Sequence, residues 1–180
     1  AIVSFYLRRD LPFDKLNTNK GTGIGTFGMK DAKLIVPGDP YRSVLMYRMS
    51  KLGYARMPYI GSRVVDGQGV ALIEQWIRNL PHDAAQPKSE PATMGSPTAA
   101  SLAKLVEAGK AGAGANADRE RAITALLTST ESSLALTALL HRRSLAPTDA
   151  ARVIAAGSAA PSDIRGLFET FVPEGKRRAT

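Results

Sequence analysis

An all-α chain is what three observations predict. Apolar residues recur at helical spacing in six segments, and Pro, Gly and Asp stand where those segments start and stop. Aromatic residues make up only 6% of the 180 residues, so the core is expected to be built from aliphatic helix faces. At 44% apolar content and a mean hydropathy of −0.12, the 19.2 kDa chain has the composition of a globular protein.

The elements follow in order. Asp39-Pro40 is a helix-start signal: Asp caps the free N–H groups, and Pro sits where its missing N–H costs nothing. The run to Leu52 brings Val44, Leu45, Met49 and Leu52 near one face, and Gly53 stops it. A loop centred on Met57-Pro58 follows. Asp66 is a second N-cap, and Val70, Ile73, Trp76, Ile77 and Leu80 then fall at helical spacing before Pro81. From His82 to Asn116 the composition turns to Pro, Ser, Gly and Ala around one short helical pattern, SLAKLVEAG, which reads as a flexible linker. Four short helices close the chain: ADRERAITALLTS, SSLALTALLHRR, PTDAARVIAAGS and PSDIRGLFETFV. At about three turns each, they need one another's faces to persist. The expected organisation is a first module over 1–81, a linker over 82–116, a helical bundle over 117–173 and a basic tail over 174–180.

Cysteine is absent, which removes disulfides, zinc fingers, thiol nucleophiles and covalently attached haem from what this chain does alone. No run of eighteen apolar residues exists to span a bilayer. The net charge is +8, and its excess lies in residues 1–80, where twelve Lys/Arg face six Asp/Glu. These cations are spread singly, without the dense stripe and stacking aromatics of a nucleic-acid site. A generally basic surface that steers acidic partners is the reading that follows.

Several motifs stay structural. Gly23-Ile24-Gly25-Thr26-Phe27-Gly28 spells G-x-G-x-x-G, but a polar stretch precedes it and Pro37 follows before a crossover helix could form. His82 and His141 lie far apart, and neither has a second His or a Cys nearby to build a metal or catalytic site. No G-x-S-x-G accompanies the serines, and the six acids of the first half are read mainly as caps or turn residues. No enzyme is expected from this inventory. Met57 admits two readings: a thioether is a soft axial ligand for haem iron, and it is equally a filler of gaps in an aliphatic core.

Pro37-Gly38-Asp39-Pro40, Arg42-Ser43, Arg56-Met57-Pro58, Val65-Asp66 and Trp76-Ile77 together make the stretch Gly25–Pro81 resemble the end of a cytochrome c module. Such modules occur in large secreted bacterial proteins, joined to sugar-dehydrogenase-like propellers or to further haem domains. The run from Leu127 to Arg178 resembles the helical spacer that precedes another haem domain in those proteins, so the resemblance spans about three quarters of the chain. It implies a partial cytochrome c-like helical module, a non-catalytic role in electron transfer, haem c as cofactor and a periplasmic or secreted location. It further implies that Met57, followed by Pro58, is the counterpart of the axial ligand, that Trp76 packs behind the haem, and that Arg42 and Arg56 pair with haem propionates. The family attaches haem through C-x-x-C-H, and this chain has no cysteine and no histidine before His82. Ala1–Phe5 reads as the interior of an element already under way, so a haem-bearing upstream segment is the expected partner, together with other domains of a parent polypeptide and an acidic redox protein. The alternative is a haem-free helical module that docks other domains.

Overall fold

A computed structural model of the chain describes residues 8–23, 25–60, 63–81, 97–110 and 116–178. The chain is all-α. Among the described residues there are seven α-helices: α1 (Val44–Met49), α2 (Gly67–Arg78), α3 (Pro97–Lys110), α4 (Asn116–Leu126), α5 (Thr130–His141), α6 (Pro147–Ala159) and α7 (Ser162–Phe168). Short 3-10 turns at Phe13–Lys15, Pro40–Arg42, Glu169–Phe171 and Glu174–Lys176 join them. The expected interior at Ala1–Phe5 lies outside the described residues.

Asp39 is a cap as expected, but the helix it opens is short. Its carboxylate accepts hydrogen bonds from the Tyr41 and Arg42 amides at 3.1 and 3.2 Å, and the turn it opens ends at Arg42. Ser43 then takes an extended conformation, because its neighbours on both sides are claimed by the preceding loop. It forms an isolated parallel bridge with Lys33, and the Val44 amide donates to the Lys33 carbonyl at 2.9 Å. The Ser43 hydroxyl accepts from the Val36 amide at 2.9 Å and donates to the Asp39 carbonyl at 2.8 Å. A tertiary contact therefore divides the expected helix, and α1 runs only from Val44 to Met49. The break turns Met46 and Tyr47, rather than Leu45 and Met49, fully inward.

Asp66 caps α2 by accepting from the Gln68 and Gly69 amides at 3.1 and 3.0 Å. Val70, Ile77 and Leu80 are buried, with Ile73 and Trp76 partly covered beside them. Within the segment 82–116, read as a flexible linker, residues 97–110 form α3, whose Leu105 is fully buried against the rest of the core. The remainder of that segment, apart from Asn116, lies outside the described residues.

Residues before Pro81 and after Ala117 share one hydrophobic cluster, running from Met29, Ile35 and Tyr47 through Val70 and Ile77 to Leu126, Leu136 and Phe168. Specific bonds cross between them. Thr130 Oγ1 donates to the Phe27 carbonyl at 2.7 Å, the Lys30 amide donates to Glu131 at 2.7 Å, and Tyr47 Oη donates to the Asp163 carbonyl at 2.8 Å. The stacked rings of Phe27 and Tyr47 lie 4.7 Å apart beneath these links. Within the C-terminal part, α4 is tied to α6 by a buried ion pair, Arg119 with Asp149 at 3.3 Å.

The α6–α7 packing depends on one glycine. A Cβ at Gly157 would overlap the ring of Phe168, which is completely buried. Gly157→Ala is therefore expected to destabilise the protein by about 1–2 kcal/mol, because overpacking by one methyl costs more than the helix propensity regained. Urea unfolding followed by circular dichroism measures it; an unchanged or raised midpoint would show that the ring has room to move.

Candidate functional site

The site centres on the loop between α1 and α2. After Met49 the chain folds back so that Lys51 is buried over the face of Tyr47, its ammonium 5.0 Å from the ring centroid. Burial lowers the Lys51 pKa, and the nearby Asp163 charge opposes that shift. The Leu52 amide then donates to the Gly166 carbonyl of α7 at 3.0 Å. Arg48 organises the next turn from α1. Its Nε donates to the Ala55 carbonyl at 2.9 Å, while the Met57 amide donates to the Arg48 carbonyl at 2.8 Å.

This frame leaves Met57 half-buried and Pro58 exposed, joined by a cis peptide bond. Around them stand Tyr54 (70% exposed), Tyr59 (64%), Ile60 (84%) and Val64 (69%). Leu72 is the one other exposed large apolar residue among those described. Single exposed apolar residues are ordinary on a protein surface, but four within eleven positions concentrate apolar surface on one loop. Arg56 lies over Tyr59, 5.6 Å from the ring centroid, and Arg63 is 87% exposed at the far end of the loop.

The other predicted site residues have partners of their own. Arg42 is committed to Asp39, Nε to Oδ2 at 2.8 Å, in a pair only 16% and 9% exposed. Trp76 is half-buried on α2, and its ring meets Phe13 edge-on at 6.3 Å. Arg56, Met57 and Pro58 are thus together at the surface, while Arg42 and Trp76 are held in internal contacts of their own.

Glu74 is the polar residue that sequence reasoning missed. The acids of the first half were read mainly as cap-like or turn residues, yet Glu74 stands mid-helix and is 1% exposed. It accepts hydrogen bonds from Tyr41 Oη at 2.9 Å and Arg78 Nη2 at 2.8 Å, and it pairs with Arg142, just past the end of α5, at 2.6 Å. Burial alone would raise the Glu74 pKa, but the bonds from Arg78 and Tyr41 and the Arg142 charge outweigh it and hold the carboxyl below the usual range. Burial, then the Glu74 charge, pushes the Tyr41 hydroxyl up to about 12. The one available signal was the Glu74/Arg78 spacing inside the apolar stripe Val70–Ile77.

His141 ends α5 with its ring 4.7 Å from Phe171 and its Nε2 buried without a hydrogen-bond partner. Burial lowers its pKa. His82 lies outside the described residues, and among those described no cluster of three His, Asp or Glu residues stands where a metal ion could be held. Met57 brings a thioether to this loop, and the chain has no cysteine with which to attach a haem c of its own.

No protein-family model, curated protein or solved structure matches the chain.

Two pH effects follow from these groups. Because the folded Glu74 pKa lies below its ordinary 4.5, its stabilisation is complete above that pH and is lost as pH falls through the folded value. Glu74→Ala is expected to cost about 3 kcal/mol at neutral pH, since it strips the buried Tyr41 hydroxyl and two guanidinium groups of their acceptor. The gap between wild type and variant should narrow as the pH drops below 4.5; a gap that stays constant in acid would remove the charge from the explanation. For His141 the folded pKa lies below 6.5, so the unfolded chain takes up a proton first and stability declines as pH falls below 6.5. His141→Gln should flatten that decline in a series of thermal melts, whatever its effect on the melting temperature at neutral pH.

Proposed function

We propose that the chain is a non-catalytic electron-transfer module that presents Met57 as a soft axial donor to a haem carried by a separate segment bearing cysteine and histidine. The observation that supports this reading most is the surface loop itself. A half-buried thioether lies in a loop that carries four exposed large apolar side chains, while nearly all other large apolar side chains among the described residues are covered. Such a loop gains free energy by being covered, at about 25 cal/mol per Å² of apolar surface removed from water. A haem is flat and apolar, and its iron takes a thioether, so it would suit a loop that offers both a sulfur and apolar side chains.

Haem, when bound, supplies the one-electron chemistry. The protein's own contribution is placement. Arg48 holds Met57 through its carbonyl and braces the turn at Ala55, so the sulfur is presented by a turn fixed to α1. Arg56 stands beside Met57 over Tyr59, where a propionate could replace water on its guanidinium. The chain's +8 charge would speed encounter with an acidic redox partner, an effect that weakens with salt. A periplasmic or secreted setting belongs to the same proposal.

A second reading has an observation of its own. Arg42 is spent on Asp39 and Trp76 on Phe13, so two of the residues assigned to a haem pocket are satisfied without one. In that reading the same loop docks a haem-free domain.

A haem c peptide with one histidine ligand and an open sixth position separates the two. Titrated into the full chain, it should shift its Soret band to the low-spin form and show the weak far-red band of thioether-ligated ferric haem. Met57→Ala should abolish that band and weaken binding at least tenfold, about 1.4 kcal/mol. Ile60→Ala should weaken binding and leave the band in place. An unchanged spectrum with wild-type protein would reject haem ligation and leave the docking reading.

A further inference from the structure

The Met57 loop is gripped at both ends by the C-terminal part of the chain. At its start, the Leu52 amide donates to the Gly166 carbonyl at 3.0 Å. A Cβ at Gly166 would stand 2.8 Å from Lys51 Cε and 3.2 Å from the Leu52 carbonyl oxygen, so the chain lies directly on the α7 backbone. At the loop's end a different element takes hold. Arg177 Nη1 donates to the Arg63 carbonyl at 3.0 Å while its Nε donates to the Val172 carbonyl at 2.8 Å. One planar guanidinium thus staples the loop to the turn that follows α7. The turn is itself rooted in the core, because the Arg178 amide donates at 3.2 Å to Glu169, a carboxylate only 3% exposed.

Two further contacts converge on the same place. Glu174 lies 3.5 Å from the Arg63 guanidinium, though this pair is 68% and 87% exposed and screened by water. Just beyond, at the first residue of α2, a Cβ on Gly67 would stand 2.9 Å from His141 Nδ1, whose ring packs on Phe171. Residues 171–178 therefore close over the exit of the loop. Between the two grips, Arg48 bonds the loop at Ala55 and Met57, and Arg56 bonds back to Gly53.

We infer that residues 171–178 form a clasp that sets the conformation of the Met57 loop, with Arg177 as its positioning residue, and that releasing the clasp loosens residues 57–60 and 63–65. The consequence for ligand affinity rests on the haem-docking reading above; the clasp itself does not. The basic tail is in this view a working part of the site. A partner that competes for Arg177, such as an acidic segment, would loosen the loop from a distance.

Hydrogen exchange by mass spectrometry on the full chain tests the clasp without any haem. Arg177→Ala should accelerate exchange in peptides covering residues 57–65 by about tenfold, the loss of one charge-assisted hydrogen bond, while helices α4 to α6 exchange as in wild type. Arg177→Lys should behave like Ala, because an ammonium lacks the planar fork that spans both carbonyls. Glu174→Gln should change little. Unchanged exchange at 57–65 in Arg177→Ala, full rescue by Lys, or parallel acceleration of every helix would each overturn the clasp. With the haem c peptide, Arg177→Ala should bind several-fold more weakly with the far-red band retained. Faster exchange with unaltered affinity would refute the coupling alone, and failure of wild type to bind would refute the haem reading while the exchange result stood.

Discussion

A carboxylate with almost no access to water must be satisfied by the protein or it will not stay charged, and Glu74 meets that demand by drawing three stretches of chain together. Tyr41 approaches from the turn capped by Asp39, Arg78 from the next turn of the same helix, and Arg142 from the end of α5. Arg78 also lies over the Tyr41 ring, 5.0 Å from its centroid, which fixes the guanidinium in place. Buried polar clusters of this kind contribute modestly to net stability, because desolvation offsets most of the attraction. Their force is geometric: only one arrangement of α2 against α5 satisfies every member.

That arrangement decides what the rest of the chain can do. With Glu74 of α2 paired to Arg142 at the end of α5 and Tyr47 bonded to Asp163, the residues before Pro81 and those after Ala117 share a common core. The loop between α1 and α2 is bonded at its base to α7, the Leu52 amide donating to the Gly166 carbonyl, while Tyr54, Tyr59, Ile60 and Val64 along it are exposed.

How much of this was legible in the sequence depends on the range of the interaction. The caps at Asp39 and Asp66 could be read because a capping carboxylate acts within three residues. The four closing helices were legible from Pro, Ser and apolar spacing, and their observed ranges match the expected segments to within a few residues. The division at Ser43 was hidden, since its cause is pairing with Lys33, a residue in a loop with no periodic signal. Glu74 was hidden for the same reason: the spacing to Arg78 suggests an exposed helical pair, and only the fold brings Arg142 and Tyr41 to the other oxygen and the buried side. The union of the two halves could not be read at all. The Pro- and Ala-rich stretch between them suggests independence, whereas contact is set by matching faces that local composition does not encode.

For the candidate site, the same distinction separates Met57 from its supposed companions. Arg56-Met57-Pro58 is a contiguous motif, and contiguity guarantees that the three share a surface. Arg42 and Trp76 were joined to it only by resemblance, and the fold gives each a nearer partner: a carboxylate three residues away for Arg42, and the Phe13 ring for Trp76. A guanidinium already bonded to a buried acid gains little from a second anion, because the first bond would have to be broken to orient it. What is left for an incoming group is therefore the loop tip with Arg56, a surface that offers one soft donor and apolar cover. A surface of that composition can complete a site but cannot make one alone. Under the haem-docking proposal, the polypeptide that covers it would bring the anchoring and charged ligands that this surface lacks.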